Sequence, residues 1–422
     1  MADLILKHIA QLVTCASGGQ PKRGKQMRDL SIIEDGMVVI EGEQIAAVGT
    51  TEALSAEYAA HHTLDLRGKT VIPGLVDCHT HLPYAGNRYD EFELRIAGRS
   101  YMDILAAGGG IHSTVRATRA ASLDHLLTQS LARLTAMMHL GTTTIEGKTG
   151  YGLSAEHECK QLHALLAAHQ RHVTTVVPTY LGAHATPAEY SSAERYLDHV
   201  LSESLPQAQA LYAASACNMP FFVDMFVETG VFSVKDMVRY FNYAQAHNLP
   251  FKAHVDQFES LGAVPIAVEM GAVSLDHLEV TSEADLAIIA HSDTVGVMLP
   301  AVNFNLGISR YGNARYLIDH DGILALSTDY NPGSSPTMNL PLVMALACRY
   351  QKLVPAEALN GCTINAAYAL RLAERVGSIE VGKQADLVVL NTDDYRSMIV
   401  EFGRNFVEQV YIKGQLVWTT SS

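Results

Sequence analysis

Positive charge is scarce in this chain. Lys and Arg number 30 against 44 Asp and Glu in 422 residues, a formal charge of −14. That balance speaks against a nucleic-acid or anionic-membrane partner, because such surfaces work by neutralising phosphate. Long apolar runs are missing too, and none approaches the roughly 20 residues that cross a bilayer. The six cysteines, Cys15, Cys78, Cys159, Cys217, Cys348 and Cys362, show no CxxC and no regular spacing. With no secretory leader either, we expect reduced thiols in a cytoplasmic protein. Nor does a GxGxxG phosphate loop follow the first buried strand, which argues against a doubly wound sheet. The Gly108-Gly109-Gly110 run lacks that spacing and reads as flexible backbone near a functional site.

What the chain does have is apolar residue: 48 % hydrophobic against 18 % charged, a globular balance with material for a large core. Residues 1–68 read as β-rich, with short strands at 3–6, 36–42, 44–49 and 63–66 and a polar loop over 18–28. The C-terminal stretch echoes this at 385–390 and 407–418, where Lys413-Gly414 reads as a tight turn. Neither end can close a sheet alone. Segments 1–68 and 375–422 are therefore expected to form one small β-sandwich, with 69–374 inserted between them. The insert alternates apolar strands with amphipathic helices. Strand candidates lie at 70–76, 142–146, 174–179, 222–226, 251–254, 274–276, 296–299 and 324–328, and helices at 123–140, 155–170, 234–247 and 261–269. Eight strand–crossover units are the grammar of a TIM-like (β/α)8 barrel.

The first of those strands ends in His79-Thr80-His81. Side chains two apart on an extended strand share a face, so both imidazoles can converge on one point, the beginning of a divalent-metal site. Chemistry in such a barrel sits at the C-terminal strand ends. Reading those ends in order gives His79/His81, Glu146/Lys148, His184, Asp224/Glu228, His254, His277 and Asp329. Each taken singly has a bland reading as a satisfied structural residue. Together, three neutral nitrogens from His79, His81 and His254 and a carboxylate from Asp329 make a catalytic shell with positions left for water.

The same residues carry a family resemblance. His79-Thr80-His81, His254, His277 and Thr328-Asp329 resemble the amidohydrolase superfamily of metal-dependent barrels. The blocks Gly86-Asn87-Arg88, Ala107-Gly108-Gly109-Gly110-Ile111, Lys148-Thr149-Gly150-Tyr151-Gly152, Leu181-Gly182-Ala183-His184 and Asp329-Tyr330-Asn331-Pro332-Gly333 are similar to one branch of it. That branch opens the ring of 4-imidazolone-5-propanoate to N-formimidoyl-L-glutamate in histidine degradation. The resemblance implies one Zn or Fe ion per subunit on His79, His81, His254 and Asp329. It implies catalytic roles for Asp329 and His277. Substrate contacts then fall to Arg88, Tyr151, His184, Gln257, Asn331, Gly333 and Ser334, in a homodimer acting on a small molecule. Three departures stand out: Gln257 cannot act as a base, Ala301 follows Leu299-Pro300 where Gly is usual, and Asn303 and Asn305 make the next loop polar.

The implied reaction is attack by a metal-activated hydroxide on a cyclic amide. Arg88 suits a carboxylate, since its planar fork pairs bidentately; spacing alone allows a surface ion pair with Asp90 or Glu91 instead. Lys148 is expected to be unmodified beside a single metal, although binuclear relatives carboxylate a lysine after a barrel strand. Two other readings are another amidohydrolase acting on a related five-membered ring (a hydantoin-like hydrolase or ring deaminase), and a barrel that has lost its metal and serves assembly.

Overall fold

A computed structural model describes residues 2–99 and 109–420. Alternating apolar residues near the N-terminus build β1 (Ala2–Val13), β2 (Ile32–Glu41), β3 (Gln44–Thr50), β4 (Ala60–Asp65) and β5 (Thr70–Pro73). Eight further strands pair in parallel in chain order: β6 (Leu75–Asp77), β7 (Thr142–Lys148), β8 (Thr175–Ala183), β9 (Phe222–Val227), β10 (Phe251–Val255), β11 (Ser274–His277), β12 (Val295–Met298) and β13 (Leu324–Leu326). Finally β14 (Leu387–Leu390), β15 (Val407–Ile412) and β16 (Gln415–Thr419) return to the first sheet, whose order is β16-β15-β14-β5-β1-β2-β3 with β4 beside β1. The chain thus forms the expected barrel with a small mixed sheet built from both termini. Lys413 and Gly414 turn between β15 and β16 with φ of 52° and 74°, the double left-handed conformation of a tight hairpin. Within the loop expected over 18–28, Gly24–Arg28 winds a short 3-10 helix. Gly108 lies outside the described residues, while Gly110 caps the helix Ile111–Ala120.

Strands covered on both faces must be apolar or internally satisfied throughout, and every residue of β7 and β8 is buried. The covering helices follow the 3.6 period. Helix Leu123–Met138 buries Leu126, Leu127, Ser130, Leu134 and Met137, and starts at Ser122, whose hydroxyl accepts from the His125 N–H.

The run 70–76, expected as one bent strand, is two strands in two sheets. Gly74 makes the crossing possible: a Cβ there would stand 2.2 Å from Thr143 Oγ1. Its N–H donates to the carbonyl of Asp386, just before β14 of the terminal sheet, at 2.9 Å. Side-chain alternation on β5 then serves two cores. Ile72 joins Val388 and Leu390 against the barrel, while Val71 joins Leu12 and Val389 in the core of the terminal sheet.

The barrel closes between β13 and β6 through side chains. The Asp77 carboxylate accepts from the Thr328 N–H at 3.0 Å, the Thr328 hydroxyl at 2.7 Å and the Ser327 hydroxyl. Just above, Thr80 and Tyr330 form an isolated parallel bridge. That seam sets the His79-Thr80-His81 segment beside Asp329.

Candidate metal centre and substrate pocket

His79 and His81 leave β6 with ring centroids 5.4 Å apart, and His254 of β10 comes within 4.4 Å of His79 and 5.5 Å of His81. Asp329 Oδ1 lies 3.4 Å from His79 Nε2 and 3.2 Å from His81 Nε2. His277 completes the group, 5.8 Å from the His79 ring and 5.4 Å from that of His254. All five side chains are buried. One ligand atom from each of His79, His81 and His254 lies within 4.8 Å of the others, and the same holds for His79, His277 and Asp329.

Whether these residues suit a cation depends on which atoms are left over. Asp276 Oδ2 accepts from His79 Nδ1 at 2.5 Å, and Asp224 Oδ1 accepts from His254 Nδ1 at 3.1 Å. Carboxylates on Nδ1 fix the tautomer and leave Nε2 as a bare lone pair. His79 Nε2, His254 Nε2 and Asp329 Oδ1 are buried with no hydrogen-bond partner. A buried polar atom without a partner costs about 1–3 kcal/mol, so a convergent set of them fits a bound metal ion.

Protonation differs between the imidazoles. Burial holds His254 down to about 3 against the pull of Asp224, so its imidazole is neutral, as a ligand must be. Burial and the Lys148 ammonium likewise oppose protonation of His79, but Asp276 and Asp329 outweigh them and lift it to about 9. A cation at Nε2 therefore competes with a proton. Burial pushes Asp329 up, yet the nearby His79 and His81 rings hold it well below the usual carboxylate range. Asp329 Oδ2 is separately held by Asn331 Nδ2 at 3.0 Å and Ser334 Oγ at 3.2 Å. His277 Nδ1 faces Glu279 Oε1 at 3.2 Å.

Lys148 sits among three carboxylates: Asp224 Oδ2 at 2.7 Å, Glu146 Oε2 at 2.9 Å and Asp276 Oδ2 at 3.8 Å. Burial favours its neutral form, but those charges outweigh burial and raise it. A carbamate on Nζ would add a fourth anion to the cluster.

The residues expected to contact substrate divide. Tyr151 is buried with its ring 5.8 Å from His81 and 5.3 Å from His184, and the His184 ring stacks on His81 at 5.1 Å. His184 Nδ1 donates to the Gly150 carbonyl at 3.0 Å, and burial, with His81 and His254 nearby, keeps the ring neutral. Arg88 is half-buried, and its Nε donates to Thr114 Oγ1 at 2.9 Å. Among the described residues it forms no ion pair with Asp90 or Glu91. Glu91 instead accepts from the Gly110 N–H and the Ser113 hydroxyl. Gly333 lies against the Arg88 guanidinium, where a Cβ would stand 2.2 Å from its terminal nitrogen.

Asn331 is already committed in this structure. Its Nδ2 donates to the Asp329 carbonyl, Asp329 Oδ2 and Ser334 Oγ, and its Oδ1 accepts from the Gly333 and Ser334 N–H groups. It shapes the loop that presents Asp329, Gly333 and Ser334, with no hydrogen-bond capacity to spare. Gln257, half-buried three residues after His254, makes no side-chain hydrogen bond to the described residues. The stretch expected as a polar loop is a short helix, Pro300–Leu306, whose polar residues have structural partners: Asn305 Nδ2 donates to the Gly333 and Ser334 carbonyls, and Asn303 Nδ2 to that of Arg310.

Two residues at the site escaped sequence reasoning. Asp276 holds His79 from 197 positions away, and the only local sign was that Ser274 and Asp276 put polar side chains on one face of β11. Glu158 accepts from the Gly150, Gly152 and Leu153 N–H groups at 2.7–2.9 Å and so pins the loop carrying Tyr151.

Comparison with known proteins agrees with this geometry. The Amidohydrolase family model matches residues 70–417. The imidazolonepropionase of Chloroflexus aggregans is 47 % identical over 421 residues, covering 99 % of both chains. That of Herpetosiphon aurantiacus is 47 % identical over 418 residues, 99 % of this chain and 97 % of the relative. The chain belongs to the imidazolonepropionase family of amidohydrolases. Among solved structures, E. coli guanine deaminase superposes with a TM-score of 0.74 at 16 % identity, covering 99 % of each chain. A zinc-bound adenosine deaminase from Xanthomonas campestris gives 0.73 at 19 %, covering 98 % of this chain and 92 % of the other. At that identity the two share the fold alone.

Proposed function

We propose that this enzyme hydrolyses the cyclic amide of 4-imidazolone-5-propanoate to N-formimidoyl-L-glutamate in histidine degradation. The observation that carries the reading is the convergence of unpartnered His79, His254 and Asp329 atoms in a barrel whose relatives, over nearly full length, are imidazolonepropionases. His79, His81, His254 and Asp329 would hold one zinc or iron ion. Bound there, the ion supplies Lewis acidity and lowers the pKa of water towards roughly 7. Asp329, beside that ion and with its carboxylate oriented by Asn331 and Ser334, takes a proton from the attacking water. The water oxygen bonds to the carbonyl carbon, the adjacent C–N bond breaks, and that proton passes to the departing ring nitrogen. His277, oriented by Glu279, steadies the oxyanion. Gln257 bears no proton-transfer step. Arg88 grips the propanoate carboxylate beside Gly333 and Ser334, while Tyr151 and His184 flank the ring. In this arrangement Asn331 acts through the loop rather than on the substrate.

The enzyme is further taken to be a cytoplasmic homodimer without nucleic-acid or membrane partners, in keeping with its −14 charge and six free thiols. Another five-membered-ring hydrolase or a ring deaminase is not favoured by the 47 % relatives. Incubation with freshly generated imidazolone propanoate should yield formimidoyl-glutamate. Stoichiometric metal with no turnover of that substrate would sink the assignment.

A further inference from the structure

Beneath the histidines lies an ion network that no step above uses. Lys252 Nζ stands 3.0 Å from Glu146 Oε1, and Glu146 Oε2 stands 2.9 Å from Lys148 Nζ. Lys148 continues to Asp224 and Asp276. All five side chains are fully buried. Taking charges out of water is costly, so a buried network is poor evidence of stability for its own sake.

Its connectivity suggests another purpose. Asp224 divides its oxygens, Oδ2 to Lys148 at 2.7 Å and Oδ1 to His254 Nδ1 at 3.1 Å. Asp276 Oδ2 faces both His79 Nδ1, at 2.5 Å, and Lys148 Nζ, at 3.8 Å. One ammonium therefore touches the two carboxylates that orient the two imidazoles, and those come from different strands, β6 and β10. Asp276 has a second anchor in the Ser274 hydroxyl at 2.6 Å; for Asp224, Lys148 is the one cation paired with it among the described residues, besides the His254 ring.

We propose that Lys148 is a positioning residue: by fixing Asp224 and Asp276 together, it sets the mutual angle at which His79 and His254 present Nε2 to a shared metal ion. The proposal rests on the reading of His79 and His254 as ligands. Lys148 touches neither substrate nor reacting atoms.

The test uses the full-length enzyme, zinc affinity by chelator competition, and the visible absorption of the cobalt-substituted protein. Lys148→Met should weaken zinc binding 10- to 100-fold and change the cobalt bands. In an Asp224→Asn/Asp276→Asn background the same substitution should cost no more than about twofold, because its route of action is already cut. A purely structural lysine would lower melting temperature while leaving the affinity and the cobalt spectrum of the folded fraction at wild-type values. That result overturns the proposal, as does a full additional loss in the double-Asn background. Should Lys148→Met fail to fold, Asp224→Asn decides: it keeps the shape, must weaken zinc at least 10-fold, and overturns the proposal if it does not. If the wild-type protein binds no zinc or cobalt at all, the ligand reading itself fails and takes this inference with it.

Discussion

Gly333→Ala isolates the carboxylate clamp without touching any group that does chemistry. Gly333 has no left-handed backbone to strain, and the atoms nearest an added Cβ would be those of Arg88, 2.2 Å away at its terminal nitrogen and 2.8 Å at its central carbon. Non-bonded heavy atoms settle near 3.5–4.0 Å, so the guanidinium has to retreat by more than about 1 Å. The obstacle is the end of a flexible side chain, so the fold should absorb it at a cost under about 1 kcal/mol. Bidentate pairing does not survive such a shift. Losing one of two charge-assisted bonds, about 1.5–3 kcal/mol, corresponds to roughly a 10- to 150-fold fall in kcat/KM for imidazolone propanoate. The assay is steady-state turnover beside metal content and melting temperature, repeated with an imidazolone that lacks the propanoate arm. With the truncated ring, variant and wild type should be alike. A Gly333→Ala enzyme that turns over the full substrate at the wild-type rate would refute the reasoning, because a displaced Arg88 could not be holding the carboxylate.

Arg88→Lys keeps the charge but loses the planar fork and the Thr114 hydrogen bond. Its kcat/KM should drop by one to two orders of magnitude with melting temperature nearly unchanged, whereas a surface ion pair would reverse that pattern. His254→Ala should abolish activity and bound metal while circular dichroism still reports a folded barrel; retained metal would remove His254 from the ligand set. Glu380 receives N–H groups from Ser17 and Gly18 and the Ser378 hydroxyl, which outweigh burial and hold it at about 2, below its ordinary 4.5. A depressed carboxyl stabilises the fold fully above its unfolded value and ceases to do so as pH falls through the folded one. The stability gap between wild type and Glu380→Gln, read by chemical denaturation, should narrow as pH drops from 4.5 towards 2; a constant gap would show that ionisation is not its source.

How much could be read in advance depended on range along the chain. Strand and helix periods are local, so β7 to β13 and helices such as Leu123–Met138 fall where alternation and apolar stripes put them. His79 and His81 were legible for the same reason, being two apart on one strand. The break at Pro73-Gly74 was legible only as a bend: the Thr143 side chain packed against Gly74 lies on another strand, so nothing in residues 70–76 shows that the chain changes sheet there. Asp276 looked like the end of one more barrel strand until the fold set it against His79. Asn331 shows the opposite limit. Family resemblance points to it as a contact, yet its amide is consumed by the turn it sits in, a matter of hydrogen-bond valence that no residue pattern reveals.

The crossing at Pro73-Gly74 also has a consequence during synthesis. One edge of β5 can pair with β1 at once, but the other belongs to β14, which starts at Leu387. At roughly 5–20 residues per second, the ribosome delivers that partner between about a quarter of a minute and a minute later. For that interval the nascent chain shows an open strand edge directly upstream of His79 and His81. Such an edge is a target for mispairing, so a newly made chain of this architecture should lean on chaperones until its last strands emerge. Truncations that end before Leu387 should aggregate rather than leave a working barrel.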